Sequence, residues 1–518
     1  MKKRTFFFPV LAALTLTGCS NDDSGIDTPI HPEDEASYLA VNIVTPTTAV
    51  GRAATSSEFM EGSAEENAAK EGLFLFFDAA GNATQTPQTV NLEWKDNSVV
   101  VTPAVEKVSE AILVIAGNTQ PAQLLVILNA PATDFNGKTL EQVRETIGDY
   151  SASYTGSGLD PLVITNSTYS DGTKEVCATN IAAKTYKSPD EAQNNPVDVY
   201  VERVVAKVKT SAIDSNFAQG ATINVDGKKV TLSQTIEGIE IANIAETSYL
   251  FKSIDGSGSW TWTDWNDATN YRSYWATCPN PLEYANQSWN VIDNTDPGSA
   301  QDFYVQENTS ATKSCVLVTA TLKDEAGNAY DFVRWAGNYY TPGNFMSQYC
   351  TLLKNEGFLV KADDNGSTRT IDETDIEWLS ADAHAAKVNS GELKGYETTV
   401  QLTETAKTLT FVKDGEDSDA DAVNAFLLKK ENLVWYWKGG KAYYFVNIEH
   451  FGTDGFDVGV VRNHIYDLKL NSLTGVGVAV FNPEETIIPE KPSDDLYYLA
   501  ARINILKWRL VNQTVDFE

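Results

Sequence analysis

The chain ends in YYLAARINILKWRLVNQTVDFE (497–518), and the reading of that stretch decides what kind of fold precedes it. Leu499, Ala501, Ile503 and Ile505 fall on one face of an extended segment, with Arg502 and Asn504 on the other. Alternation of period two marks a β-strand with one buried face. The pattern breaks at Lys507-Trp508 and resumes with Val511, Val515 and Phe517. Ahead of it runs FNPEETIIPEKPSDD (481–495), acidic and punctuated by proline. These features predict a solitary terminal strand that its own linker holds away from the body. A detached strand with one apolar face needs a groove to lie in. A groove in another molecule would make the chain a polymer subunit.

The opposite end supplies a reason for a groove to exist. Residues 1–19 read MKKRTFFFPVLAALTLTGC, with Lys2, Lys3 and Arg4 ahead of an apolar run and then Leu16-Thr17-Gly18-Cys19. This is the layout of a secretory signal ending in a lipobox, with Cys19 as the lipidated first residue of the mature chain. The apolar run is too short for a transmembrane helix. An acidic tether (20–37) follows, and then SYLAVNIV (37–44), a short strand with Leu39, Val41 and Ile43 on one face.

Next comes TPTTAVGRAATSSEF (45–59), rich in small residues and threonine, which reads as an exposed loop. Arg52 lies in its middle and is the only Lys or Arg between Arg4 and Lys70. A protease that requires a basic residue therefore has a single choice here, cutting between Arg52 and Ala53. A lone arginine is more often simply solvated, but the small flanks Val50-Gly51 and Ala53-Ala54 would fit an extended protease cleft. Cutting there would release lipid, tether and the SYLAVNIV strand together, and would leave an open sheet edge that invites pairing.

The two ends also resemble each other. AVNIV (40–44) and RINIL (502–506) align without a gap, Val41 over Ile503, Asn42 over Asn504 and Ile43 over Ile505. Edge strands can look alike by chance. The sharper reading is strand addition: the terminal strand, with Leu499, Ala501, Ile503, Ile505, Trp508, Val511, Val515 and Phe517, replaces in a neighbour the strand that carried Leu39, Val41 and Ile43. Main-chain hydrogen bonds would supply affinity, and alternate side-chain pockets the register.

Several segments resemble the fimbrillin superfamily of Bacteroidetes pili, most closely the major-subunit type of the minor fimbria. They are VYVERVVAKVKT (199–210), RSYWATCPN (272–280), FYVQENTSATKSCVLVTATLKD (303–324), ENLVWYWKGGKAYYFVNIEH (431–450), VVRNHIYDLKLNSLTGVG (460–477) and the terminal NILKWRLVNQTVDF. The N-terminal half is similar in layout more than in wording. SNDD after Cys19 resembles the acidic surface-export signal of lipoproteins from that phylum. The resemblance implies export as a lipoprotein, trimming after an arginine in the first domain, and polymerisation by donor-strand exchange. Arg52 is the position that fits the trimming site. Implied partners are other copies of the chain, accessory fimbrial subunits, a maturation protease of basic-residue specificity, and a host or bacterial surface ligand.

Composition agrees with a surface protein. The chain has 518 residues, 42% hydrophobic and 10% aromatic, enough for two or three domains with sizeable cores. Its formal charge is −32, and loss of Lys2, Lys3 and Arg4 with the signal deepens this to −35. Such a charge disfavours nucleic acid as a partner. It also opposes non-specific clumping, so assembly must come from specific pairing against a repulsion that salt would screen. Cys177, Cys278, Cys315 and Cys350 show no CxxC spacing, which argues against a zinc site. An exported location permits disulfides, yet isolated buried thiols fit equally well, so no bridge is assigned.

Along the body, β signals dominate. EGLFLFFDAAGNATQTPQTVNLEW (71–94) reads as a hairpin whose first strand is buried on both faces. AILVIAG (111–117) and LLVILNA (124–130) are nearly all apolar, the signature of central strands, with GNTQPAQ turning between them. KTLEQVRETIGDY (138–150) is the best helix candidate, with Leu140, Val143 and Ile147 at helical spacing. VDVYVERVVAKVKTSAI (197–213) reads as the last long strand of a first domain. Further strands are expected in 230–252, in 315–335 across an EAGN turn, in TLTFVKD (408–414), in 435–448 across Gly439-Gly440, and in 464–473.

The expected fold class is mainly β, with two transthyretin-like β-sandwich domains in tandem and a C-terminal donor strand. The expected division is a signal peptide (1–18), a removable lipidated propeptide with the first strand (19–52), an N-terminal sandwich (53–212), a C-terminal sandwich (213–481), and linker plus donor strand (482–518).

A search for chemistry finds no catalytic, cofactor or metal motif. His31, His384, His450 and His464 form no HExxH, and no GxSxG or P-loop accompanies them. His450 and His464 bracket GTDGFD and could meet across a hairpin, more plausibly as structural residues than as a catalytic or metal pair. Asp417, Asp419 and Asp421 fit the start of a calcium loop, but Ala422 and Leu428 stand where its glycine and glutamate belong. A solvated acidic loop is the better reading. Trp260, Trp262, Trp265, Tyr271, Tyr274 and Trp275 could stack on a sugar, although part of that cluster lies in a family-like segment and fits packing better.

Two functions remain open: a stalk pilin of a cell-surface fimbria, or a non-polymerising outer-membrane lipoprotein acting as tip adhesin, anchor or glycan-binding module. A tip would not need to donate a strand and an anchor would keep its first one, so both termini favour the stalk.

Overall fold

A computed structural model describes residues 37–45, 62–96, 107–116, 119–155, 157–170, 175–254, 276–280, 299–308, 313–362, 366–452, 455–482, 498–507 and 511–514. The protein is mainly β. A first sheet runs, strand beside strand, through Gln88–Asn91, Glu71–Phe77, Gln123–Leu128, Ile164–Asn166, Val197–Arg203, Ser37–Thr45, Lys107–Ile115 and Trp94–Asp96. Its alternation serves two cores. Phe74, Phe76, Leu124, Val126 and Leu128 join Leu39, Val41, Leu113 and Val199 on one side. Leu75, Phe77, Leu125 and Ile127 pack on the other with Leu250, Phe251 and Tyr304 from later in the chain. The hairpin at 71–91 forms as expected, buried on both faces of its first strand.

The two apolar runs behave differently from each other. Gln123–Leu128 is a central strand buried on both faces. Lys107–Ile115 buries Ala111, Leu113 and Ile115 but leaves Ile112 39% and Val114 42% exposed. Nor do the two strands pair, since each has other neighbours. The expected helix is real but short, Leu140–Arg144, started by a capping box between Thr139 and Gln142. It stops because Ile147–Gly148 pairs instead with Ser248–Tyr249. Ile147 is therefore 46% exposed rather than on a buried helix face.

The stretch expected as one long strand of the first domain is shared. Val197–Arg203 belongs to the first sheet and Val205–Thr210 to a second, with Val204 as the crossing point. The second sheet runs Gln301–Gln306, Val205–Thr210, His464–Thr474, Tyr498–Lys507 and Val511–Thr514. A third sheet carries Trp435–Trp437, Phe332–Trp335, Asn338–Tyr340, Ala221–Val225, Lys228–Ala242, Cys315–Lys323, Lys441–Asn447 and Val478–Ala479. The two sheets close on one core, where Val208, Phe303, Val305, Tyr466 and Leu468 meet Ile239, Val316, Val318 and Trp437. The expected turns form, but not as simple hairpins. Lys323 and Ala329 make a single bridge across the EAGN turn. Gly439 and Gly440 take φ of +63° and +68°, and a Cβ on Gly440 would come within 2.3 Å of the Leu322 carbonyl oxygen.

Between Tyr340 and Trp435 the third sheet is interrupted by an α+β unit of which only one strand was expected, in TLTFVKD (408–414), and that strand forms as Phe411–Lys413. Its helices are Pro342–Asn355, Ala381–Asn389 and Ala420–Leu427, set against a small sheet of Phe358–Lys361, Thr368–Thr370, Phe411–Lys413 and Glu416–Ser418. Phe345, Tyr349, Leu353, Phe358, Leu402, Phe411, Val423 and Leu427 give it a core of its own. The acidic run near 414–421 is explained locally. Asp414 takes a left-handed turn conformation, and the Asp419 side chain accepts from the Ala422 N–H at 2.8 Å, capping the third helix.

The terminal strand is not solitary. Tyr498–Lys507 lies antiparallel to His464–Thr474 of its own chain, with a register shift between Leu470 and Ser472. Val511–Thr514 folds back on it as a hairpin partner. A strand held free would expose a full row of backbone donors and acceptors, and the available edge at 464–474 satisfies them.

Candidate functional site

The first strand sits inside its sheet rather than at its rim. Ser37–Thr45 pairs antiparallel with Lys107–Ile115, from Ser37 opposite Ile115 to Thr45 opposite Lys107. On its other side it runs parallel to Val197–Tyr200, Val41 opposite Val197 and Val44 opposite Tyr200. The backbone of Tyr38 additionally exchanges two hydrogen bonds with Tyr186, at 2.6 and 2.7 Å. Leu39 and Val41 are fully buried. Each such side chain contributes about 1.5–3 kcal/mol through removal from water. Ile43 keeps the same alternation in the ladder, opposite Ser109. Withdrawing the strand would uncover two ladders and an apolar floor at once, a slot open to one replacement strand.

The C-terminal strand is likewise paired on both of its edges. Leu499 stands opposite Leu473, Ala501 opposite Leu470, Ile503 opposite Leu468, Ile505 opposite Tyr466, and Val511 opposite Ile505. Trp508, Val515 and Phe517 lie outside the described residues, as do Cys19, Arg52, Ala53, His31 and the aromatic group 260–275. The structure thus places the first and last strands in different sheets, connected through Val197–Thr210.

That connection is where the charged residues concentrate. Segment 62–69, the first described stretch after Thr45, plugs into the crossing point. Glu66 is 2% exposed, and its carboxylate accepts from Lys207 Nζ at 2.7 Å and the Tyr304 hydroxyl at 2.6 Å. Its second oxygen accepts from the Ser63 N–H at 2.6 Å. Burial alone would raise the Glu66 carboxyl, but the Lys207 charge and the two side-chain hydrogen bonds hold it below the ordinary carboxylate range. Burial likewise opposes the Lys207 ammonium, and Glu66 and Asp302 outweigh it, so that its pKa is raised. Arg203 donates to the Glu66 carbonyl at 3.3 Å and to the Asn67 side-chain oxygen.

A second buried set gathers around Glu202 and Glu307. Arg462, fully buried, donates through Nε to Glu307 at 2.8 Å and through Nη1 to the Leu250 carbonyl at 3.1 Å. Lys252 reaches Glu202 at 3.5 Å, with both side chains fully buried. Burial lowers the Lys252 pKa despite these carboxylates. Buried charges are tolerated only where they are paired, and the pairing specifies one geometry between the parts that supply it. The family-like segments VYVERVVAKVKT and VVRNH thus carry the junction of the two bodies. None of these charges was foreseen as a site. The signal was available: Glu202-Arg203 and Arg462-Asn463 interrupt runs that are otherwise apolar.

His450 and His464 do meet. Their rings are 4.9 Å apart, both side chains are buried, and His450 Nδ1 is 2.9 Å from the Tyr466 hydroxyl, which accepts from the Val461 N–H at 2.7 Å. His464 Nδ1 is 2.8 Å from the Arg462 carbonyl oxygen. The pair is packed into the junction's backbone hydrogen bonding. His384, buried in the inserted unit, sits 2.9 Å from the Glu397 carbonyl oxygen. Among the described residues no three His, Cys, Asp or Glu side chains gather as a metal site would require. Cys177, Cys278, Cys315 and Cys350 are unbridged.

No protein-family model and no curated relative matches the chain. Similar solved structures include several from Bacteroidetes. A candidate cell adhesion protein from Parabacteroides distasonis is 13% identical with a TM-score of 0.41, over 90% of this chain and 96% of that one. Another, from Bacteroides eggerthii, is 10% identical with a TM-score of 0.35, over 92% and 95%. A fimbrial assembly protein from Parabacteroides distasonis is 11% identical with a TM-score of 0.26, over 56% of this chain and 96% of that one.

Proposed function

We propose that the chain is the stalk subunit of a cell-surface fimbria. It is exported as a lipoprotein through Cys19, anchored in the outer membrane as a precursor, cut between Arg52 and Ala53, and polymerised by insertion of its terminal strand into the vacated slot of a neighbour. The observation that carries this reading is the position of Ser37–Thr45 inside its sheet, with a ladder on both sides and Leu39 and Val41 in the core. A strand that is upstream of the only nearby arginine, and central to a sheet, is removable by one cut and must then be replaced. Other copies and accessory fimbrial subunits are the partners, with adhesion as the outcome. No cofactor, metal or nucleic acid is required.

One observation favours a second reading. Tyr498–Lys507 is already paired within its own chain. A protein that keeps this arrangement would be a non-polymerising surface lipoprotein: tip adhesin, anchor or glycan-binding module. Limited digestion of the precursor (residues 20–518) with a trypsin-like protease separates the two. The stalk reading expects a new N-terminus at Ala53 and ladders, in gels run without boiling, that need residues 497–518. Cleavage without assembly, or none at Arg52, supports the second reading.

A further inference from the structure

The outer edge of Lys107–Ile115 is finished in an unusual way. Along its inner edge the strand pairs with Ser37–Thr45, and Trp94–Asp96 covers only Lys107 to Ser109 on the outer edge. Beyond that point two glutamine side chains take over. Gln88 donates from Nε2 to the Val114 carbonyl oxygen and accepts from the Val114 N–H at 3.3 Å. Gln85 accepts from the Ala116 N–H at 3.1 Å and donates to the Val114 carbonyl oxygen at 3.3 Å. A primary amide carries the same donor and acceptor as a peptide group. Gln88 therefore exchanges with Val114 the two bonds that a residue of an adjoining antiparallel strand would exchange. Pro87 lies between the two glutamines and has no N–H, so the segment meets the edge with side chains at this point.

What these amides cover is a site suited to pairing. Ile112 and Val114 are two of the three large apolar side chains that stand out as exposed among the described residues, and they share one face of this strand. Backbone groups two residues apart along a strand aim the same way, so Ile112 presents its own to the same edge as Val114.

We propose that this edge is a latent self-association surface, complementary to the same edge of a second copy, and that Gln85 and Gln88 hold it closed. An antiparallel two-fold pairing centred on Leu113 sets Ile112 against Val114 and Glu110 against Ala116, so that no like charges face each other. Guarding this edge confines strand exchange to the opposite side of the same strand, where Ser37–Thr45 lies. Natural sheets block free edges in comparable ways.

The test uses the unprocessed chain, residues 20–518, so that its outcome is independent of cleavage at Arg52. Gln85→Ala with Gln88→Ala is expected to form dimers in sedimentation velocity at concentrations where the parent is monomeric, with at least tenfold tighter self-association. Adding Ile112→Lys should return it to monomer. A double variant with the parent's thermal midpoint that sediments like the parent overturns the proposal, as does association insensitive to Ile112→Lys. Hydrogen exchange on the parent decides the matter if the double variant does not fold. The Val114 and Ala116 amides should be protected, and exchange at the rate of an open chain would overturn the guard.

Discussion

Asn504 stands directly across the ladder from Asp467, as Asn42 stands across from Glu110 in the other sheet. The gapless match of AVNIV to RINIL thus extends to the antiparallel neighbour: each asparagine faces a carboxylate residue from the adjoining strand. A strand moved from the second sheet into the slot of the first, in the register set by Val41 and Ile503, would meet Glu110 where it left Asp467.

Ile503→Asp or Ile505→Asp should abolish fibre formation by processed protein. In the proposed register these positions replace Val41 and Ile43, and a charge brought into that apolar floor without a partner costs several kcal/mol, on the order of 3–5. Negative-stain microscopy of cleaved protein checks this, and long fibres from either variant would refute the register.

Arg52→Ala should leave the precursor uncut under limiting trypsin-like protease. It should also leave the protein monomeric by light scattering after the treatment that makes the parent assemble. Normal fibres from this variant would remove Arg52 as the processing site.

Leu39→Ala offers a differential test of the removable strand. Loss of a fully buried leucine should destabilise the uncut chain by about 2–4 kcal/mol. Once residues up to Arg52 are gone, the variant and the parent are the same molecule. Their melting curves should then coincide, and a persistent difference would mean that the strand had not left.

Glu66→Gln should cost about 3 kcal/mol, the lower end for breaking a buried pair, because Asp302 still holds Lys207 at 2.6 Å. The Glu66 carboxyl is held below its ordinary value of 4.5. Its contribution is therefore fully present above pH 4.5 and fades as the pH falls through the depressed folded value. Denaturant unfolding across the acid range should show a flatter acid limb in the variant than in the parent.

Legibility in the sequence followed the length scale of the interactions. The buried hairpin at 71–91 and the strands at 123–128 and 464–474 follow from local alternation and spacing. Partner choice did not, because pairing is non-local: AILVIAG reads the same whether its second face is covered or bare, and Ile112 and Val114 turned out bare. Of the inserted unit only the strand in TLTFVKD was read; Phe345, Tyr349 and Leu353 do recur at helical spacing, but its other strands are short and its helices begin at modest polar caps. For the site, the Leu39, Val41 and Ile43 alternation was readable. The Glu66, Lys207 and Tyr304 contacts join positions more than a hundred residues apart, and no local pattern encodes them.

The crossing at Val204 has a mechanical consequence. Whatever strand occupies the slot lies beside Val197–Arg203. That strand passes through Val204 directly into Val205–Thr210, which runs parallel to His464–Thr474, which in turn carries the terminal segment. A pull applied along these strands, from slot to C-terminus, would load each ladder in shear, so that its hydrogen bonds resist together rather than opening one at a time. The Lys207–Glu66 and Arg462–Glu307 ion pairs brace the point where that line of tension changes sheets.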